Sequence, residues 1–127
     1  MGVVRKKILL VDDEPDIVKT TSLALLVEGF EVITAQSAEI ALDKIRIDSP
    51  DLFILDVMLP KMSGYELAGL LKHEDKYRQL PIILITALVQ KNEEELINNG
   101  IVDFYLKKPF ELEQLINKIK ELLNKKG

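Results

Sequence analysis

The sequence has no cysteine. Disulfide bonds and thiolate metal sites are therefore excluded, and a reducing compartment is permitted. Histidine is almost as scarce: His73 stands alone in the polar stretch KHEDKYRQ and reads as a solvated surface residue. Positive charge is in the minority, with 17 Lys and Arg against 21 Asp and Glu for a net charge of −4. A surface that grips a nucleic-acid backbone needs a concentrated basic face, so a direct nucleic-acid partner is disfavoured. Long apolar runs are missing too. The run that follows MGVVRKK is stopped at once by charged residues, too soon for a signal peptide and far too soon to span a bilayer. The lipidation motif that begins Met-Gly wants Ser or Thr at the sixth position, where Lys6 stands. No repeat, linker or low-complexity segment appears. These absences together lead us to expect a soluble, cytoplasmic protein with no membrane partner.

What is present suits one compact domain of 127 residues, 47% of them hydrophobic. Apolar runs recur at Ile8–Val11, Glu31–Ala35, Leu52–Leu55, Ile82–Ile85 and Val102–Leu106. Most are short, rich in Ile, Leu and Val, and without strict alternation, as expected of strands buried on both faces. Helical spacing fills the intervals. Pro15 suits a helix's first turn and Gly29 the position past its end, while Ser37 suits an N-cap for a helix burying Ala38, Ala41, Leu42 and Ile45. Glu93–Asn99 is weakly amphipathic, and Asn98-Asn99 before Gly100 reads as a helix C-terminus. In the last segment Leu112, Leu115, Ile116, Ile119, Leu122 and Leu123 follow one helical face, with Glu and Lys opposite. The NKKG tail reads as a frayed end or as the point where a longer protein was cut, and LPKMSG as an irregular loop in which Gly64 permits an unusual backbone conformation. Strand and helix thus alternate, which predicts an α/β fold: a parallel sheet with helices on both faces and right-handed crossovers.

In open α/β sheets, ligands bind beyond the carboxyl ends of the strands. Reading only those ends gives Asp12 and Asp13, Asp56, Thr86 and Lys108. Taken singly, an aspartate there is usually a cap or turn former, and a lysine is usually solvated. Their joint occurrence at four strand ends asks for more. Three carboxylates on one rim repel, by about 4 kcal/mol per pair at roughly 4 Å with an effective dielectric of about 20. A proton or a cation must compensate. Oxygen ligands with no histidine or cysteine nearby favour a hard cation, and a few carboxylates completed by water suit Mg²⁺ better than a Ca²⁺ cage. Mg²⁺ held by few protein ligands commonly completes its shell with phosphate oxygens. The rim therefore reads as a seat for a phosphoryl group beside a metal.

The stretches ILLVDDEPDI, PDLFILDVMLPKMSGYEL, PIILITAL and DFYLKKPF, in this order and spacing, resemble the receiver domain of two-component response regulators over essentially the whole chain. The resemblance implies the flavodoxin-like (βα)5 sandwich with strand order 2-1-3-4-5. It implies Asp56 as phospho-acceptor, and Asp12, Asp13 and Asp56 as Mg²⁺ ligands together with the backbone carbonyl of Met58. Thr86 matches the hydroxyl that contacts the phosphoryl group, with the small Ala87 after it. Lys108, directly before Pro109, matches the lysine that pairs with a phosphoryl oxygen, and the peptide bond between them is expected to be cis. Tyr105 falls at the aromatic switch position. The implied donor is a sensor histidine kinase or a histidine phosphotransfer protein. The implied output is a change in the surface formed by the fourth helix, fifth strand and fifth helix. Such a protein is a substrate and switch rather than an enzyme, with Mg²⁺-dependent autophosphorylation and slow autodephosphorylation, and a monomer or weak phosphorylation-dependent dimer. Residues 1–127 then form one receiver domain with no output domain in the chain, acting through an unidentified downstream protein.

Two departures from the family pattern stand out. Ile101 and Val102 replace a usual Gly-Ala before the lysine, with Gly100 one residue earlier, which predicts a shifted turn into the fifth strand. Ala38 replaces a frequent glycine at the second helix, a change favourable to any helix. Three other readings compete. A flavodoxin-like cofactor binder needs a phosphate-cradling loop where DDEPD would repel an anion. A haloacid dehalogenase-type phosphatase spaces its aspartates by one residue and needs a cap. A degenerate receiver, serving only as an interaction module, would not need all five positions filled.

Overall fold

The computed structural model describes residues 4–87 and 93–124. Five strands, β1 (Lys7–Val11), β2 (Glu31–Ala35), β3 (Leu52–Asp56), β4 (Ile82–Thr86) and β5 (Phe104–Lys107), alternate with five helices. The helices are α1 (Pro15–Val27), α2 (Ala38–Ile47), α3 (Gly64–Lys72), α4 (Glu93–Asn98) and α5 (Leu112–Asn124). All pairings are parallel and the sheet order is β2-β1-β3-β4-β5, as expected. The last three residues of the NKKG tail, and its expected fraying, lie outside the described residues.

Successive side chains of a strand point to opposite faces, and here both faces are covered. Leu9, Val11, Phe53, Leu55, Ile82 and Leu84 pack on one face with Ala38, Ala41 and Ile45 of α2 and Leu67, Ala68 and Leu71 of α3. Ile8, Leu10, Leu52, Ile54, Ile83 and Ile85 pack on the other with Leu25 of α1 and Leu115, Ile119 and Leu122 of α5. Burial on both faces holds fully for β3 and β4 and nearly so for β1; the edge strands β2 and β5 are largely half-buried.

The helix boundaries have local causes. Pro15 opens α1, and Gly29, at φ 96°, closes it while Phe30 N–H donates to Leu25 O at 3.1 Å. Ser37 Oγ accepts from Ile40 N–H at 3.1 Å, as its N-cap role requires. A capping box, Ser63 with Glu66, starts α3. The sequence carries that pattern in SGYE, and sequence reasoning passed over it.

Two expectations need correction. Gly64 does not adopt an unusual backbone conformation; the positive φ in that loop, 64°, belongs to Lys61. Gly64 is required for closeness instead. A Cβ there would collide with Asp56 O and lie 2.8 Å from Asp56 C and 2.9 Å from Val57 Cα, all backbone. The fifth strand begins at Phe104, not Val102. Gly100 turns the chain at φ 76°, Val102 is already buried in the core, and Asp103 N–H donates to Ile82 O at 2.8 Å while its carboxylate accepts the Ile82 N–H at 2.8 Å.

Candidate functional site

A parallel sheet brings every strand's carboxyl end to one rim. Asp12 follows β1, Asp56 ends β3, Thr86 ends β4 and Lys108 follows β5. Alternation then decides the side. Asp56 continues the face of Leu52 and Ile54, and Asp12 and Lys108 continue the faces of Leu10 and Leu106, all on the side of α1 and α5. Thr86 continues the opposite face, that of Ile82 and Leu84, and so does Tyr105, which pairs in register with Leu84. The sequence-derived positions therefore separate into one cluster beneath α1 and α5 and a Thr86–Tyr105 column behind it.

In the cluster, Asp12 and Asp56 are buried and Asp13 is exposed. One oxygen from each of Asp12, Asp13 and Asp56 lies within 4.8 Å of the others. Asp12 Oδ1 accepts from Glu14 N–H at 2.9 Å, and Asp56 Oδ1 accepts from Met58 N–H at 3.2 Å. The second oxygens face Lys108, whose Nζ lies 2.9 Å from Asp12 Oδ2 and 3.3 Å from Asp56 Oδ2. Asp12 Oδ2 is buried and, although the ammonium is close, accepts no hydrogen bond among the described residues. A buried oxygen in that condition, with two further carboxylates beside it, fits a hard divalent cation on Asp12, Asp13 and Asp56.

Burial, and then the charge of Asp12, raise the pKa of Asp56 above its ordinary value, against the attraction of Lys108 and the Met58 N–H. Burial works the other way on Lys108 and would favour its neutral form. The bond to Glu14 and the attraction of the Asp12 and Asp56 carboxylates outweigh it, so the lysine's pKa is raised and it stays a cation. Glu14 is the participant that sequence reasoning missed: its Oε1 lies 2.7 Å from Lys108 Nζ. Its place in DDEPD was visible, but its partner, 94 residues away, was not.

The peptide bond before Pro109 is cis, as expected, and Lys108 N–H donates to Thr86 O at 2.7 Å. Thr86 is fully buried, Tyr105 half-buried and Ala87 exposed. Met58 is exposed beside the site, and His73 is exposed at the end of α3, as expected of a surface residue. Among the described residues no helix is long and apolar enough to cross a membrane.

A family model described as response regulator receiver domain matches residues 8–120. The polar-differentiation response regulator DivK of Brucella anthropi is 34% identical over 118 residues, covering 93% of this chain and 96% of that protein. The structure of a CheY-like response regulator receiver domain protein from Methanospirillum hungatei is 33% identical with a TM-score of 0.87, covering 96% of each chain. The response regulator TrrA of Thermotoga maritima, in complex with Mg²⁺-BeF, is 38% identical with a TM-score of 0.80, covering 92% of this chain and 98% of that one.

Proposed function

The chain belongs to the response regulator receiver domain family and is a phospho-accepting signalling switch, and from that premise we propose that Asp56 is the residue that accepts the phosphoryl group. Receiver domains act as switches rather than conventional enzymes, and they interact with histidine kinases or phosphotransfer proteins. The observation that carries the assignment to Asp56 is its geometry. It is a buried carboxylate at a strand end, with Oδ1 held by the Met58 N–H and Oδ2 facing the Lys108 ammonium.

Asp12, Asp13 and Asp56, with the Met58 carbonyl, are the proposed Mg²⁺ ligands. When bound, the cation supplies charge neutralisation for the phosphoryl oxygens and favours the ionised form of Asp56. The chain's own residues do the rest. An Asp56 oxygen forms a bond to phosphorus as the bond from phosphorus to the donor's imidazole nitrogen breaks, and that nitrogen keeps the electron pair. Lys108 meets the negative charge that spreads onto the equatorial oxygens, and the Thr86 hydroxyl donates to one of them. Asp56 Oδ1 is already oriented by its backbone bond, so less ordering is left for the reaction itself. Water attacking the same phosphorus later returns the carboxylate, which gives slow autodephosphorylation.

Thr86 and Tyr105 share a sheet face, and this supports a two-position switch. A threonine drawn toward the phosphoryl group leaves room beside α4 and β5 for the Tyr105 ring, and a bias of a few kcal/mol between two arrangements suffices. The surface of α4, β5 and α5 is then the one read by a downstream protein.

The test of the acceptor is incubation with Mg²⁺ and acetyl phosphate followed by intact mass and peptide mapping. One phosphoryl group per chain, stable to acid and released by hydroxylamine, is expected on Asp56. Asp56→Asn should stay unlabelled, because an amide is not a carboxylate nucleophile. Labelling of that variant at the parent's rate would overturn the assignment.

A further inference from the structure

We infer that Glu14 is a positioning residue that tethers the Lys108 ammonium in the unphosphorylated protein, so that release of this tether sets how fast a phosphoryl group is accepted. The inference rests on Asp56 being the acceptor and adds a level of control to the same site.

Three carboxylates compete for Lys108 Nζ, and the nearest is Glu14, at 2.7 Å against 2.9 Å for Asp12 and 3.3 Å for Asp56. Of the three, Glu14 alone is exposed, its side chain 59% accessible against 0% and 4% for Asp12 and Asp56. Glu14 also stands at the N-cap of α1, yet its side chain makes no capping hydrogen bond. That carboxylate is turned onto Lys108 instead of onto the helix end, while its backbone N–H is fixed to Asp12 Oδ1. The Glu14 carboxylate does not belong to the metal-ligating cluster. Neutralising Asp12 and Asp56 with a divalent cation therefore weakens two of the three attractions on Lys108 and leaves the third intact.

A phosphoryl donor then meets an unfavourable arrangement. The lysine it needs is shared with a carboxylate that also repels the donor's own negative charge. Because the Glu14 end of the pair is solvated, it can part in each cycle, so the tether slows acceptance without blocking it. Once the aspartyl phosphate has formed, its oxygens outcompete a single solvated carboxylate for Lys108.

Glu14→Gln tests this, since it keeps the length of the side chain and removes the charge. Initial labelling rates of parent and variant are measured with Mg²⁺ in excess, using acetyl phosphate, a dianion at neutral pH, and phosphoramidate, a monoanion. The variant should be faster with acetyl phosphate at low salt on the order of fivefold, the size of one exposed charge a few ångströms away. The gain should be smaller with phosphoramidate and should shrink as salt is added. A residue that merely shaped the helix start would change both donors alike, with no dependence on salt. In metal-free buffer, the ¹⁵N-labelled Lys108 ammonium, assigned by its loss in Lys108→Arg, should shift and exchange faster in Glu14→Gln. Equal rates at low salt overturn the inference whatever that resonance does. If the parent itself is not labelled at Asp56, the reading of the site fails instead. In that case the tether stands or falls on the Lys108 resonance alone.

Discussion

Replacing Gly64 by alanine drives a methyl group into the backbone that carries Asp56. The new carbon would collide with Asp56 O and lie 2.8 Å from Asp56 C and 2.9 Å from Val57 Cα. Carbon atoms rest about 3.5–4.0 Å apart at their optimum, so the start of α3 or the end of β3 must move by roughly 1 Å. Neither side yields easily. Gly64 N–H donates to Val57 O at 3.0 Å, and β3 lies between β1 and β4. Forcing bulk into a packed site of this kind costs about 1–3 kcal/mol. For a domain of this size each kcal/mol moves the melting temperature by about 4 °C, so Gly64→Ala should melt 4–12 °C lower. Gly69, on the same helix, has nothing within 4 Å of an added Cβ. Gly69→Ala should therefore gain about 0.5–1 kcal/mol from the lost freedom of the unfolded chain. Thermal unfolding of both variants, followed by circular dichroism, gives two shifts of opposite sign if the close approach is real. Labelling adds a second readout. The peptide being pushed belongs to Asp56, so Gly64→Ala should also accept phosphoryl groups at least about tenfold more slowly. A Gly64→Ala protein that melts and labels like the parent would show that α3 slides freely and that contact with β3 does not set the geometry of Asp56.

Asp56→Asn should raise stability in metal-free buffer at neutral pH. The folded pKa of Asp56 lies above its ordinary 3.8, chiefly through burial and the charge of Asp12. Its ionised form therefore carries a penalty above the folded pKa that is relieved as pH falls toward 3.8, and the variant's advantage should shrink over that window. An Asn variant that melts lower than the parent at neutral pH would contradict this sign. Lys108→Ala strips the cation from buried Asp12 and Asp56 and should cost about 3 kcal/mol without metal. Added Mg²⁺ should recover more stability in that variant than in the parent, and denaturant curves with and without Mg²⁺ check it. Finally, beryllofluoride should shift the Tyr105 ring resonances in the parent and much less in Thr86→Ala. Equal shifts in both would remove Thr86 from the coupling.

Much of this site could be read before folding was considered, because it depends on periodicities of the chain itself. Burial on both faces writes a strand as an unbroken apolar run. The polar residue that breaks the run, Asp12 or Asp56, then marks the rim where parallel strands end. The helix signals were equally local: Pro15, Gly29 and Ser37 act on hydrogen bonds within a turn of themselves, and each does in the structure what its chemistry requires. The missed capping box at Ser63 was legible by the same rule. Lys108 over Lys107 depends on a sequence neighbour, Pro109.

Other features were closed to the sequence. Three aspartates count equally in a list, yet Asp12 and Asp56 are buried while Asp13 faces solvent, so their mutual repulsion is far from equal. Which carboxylates share Lys108 depends on where β5, an edge strand beside β4, delivers its side chain along the rim, and Glu14 enters only through that placement. The strict need for glycine at position 64 comes from the approach of α3 to β3, not from any torsion angle that a local pattern could announce. The start of β5 moved for the same kind of reason: Asp103 finds its partner on Ile82, and Val102 finds its place in the core. Local chemistry acts through the covalent neighbourhood, which the sequence displays in full. Distances between carboxylate, ammonium and backbone arise only when the sheet sets distant strand ends side by side.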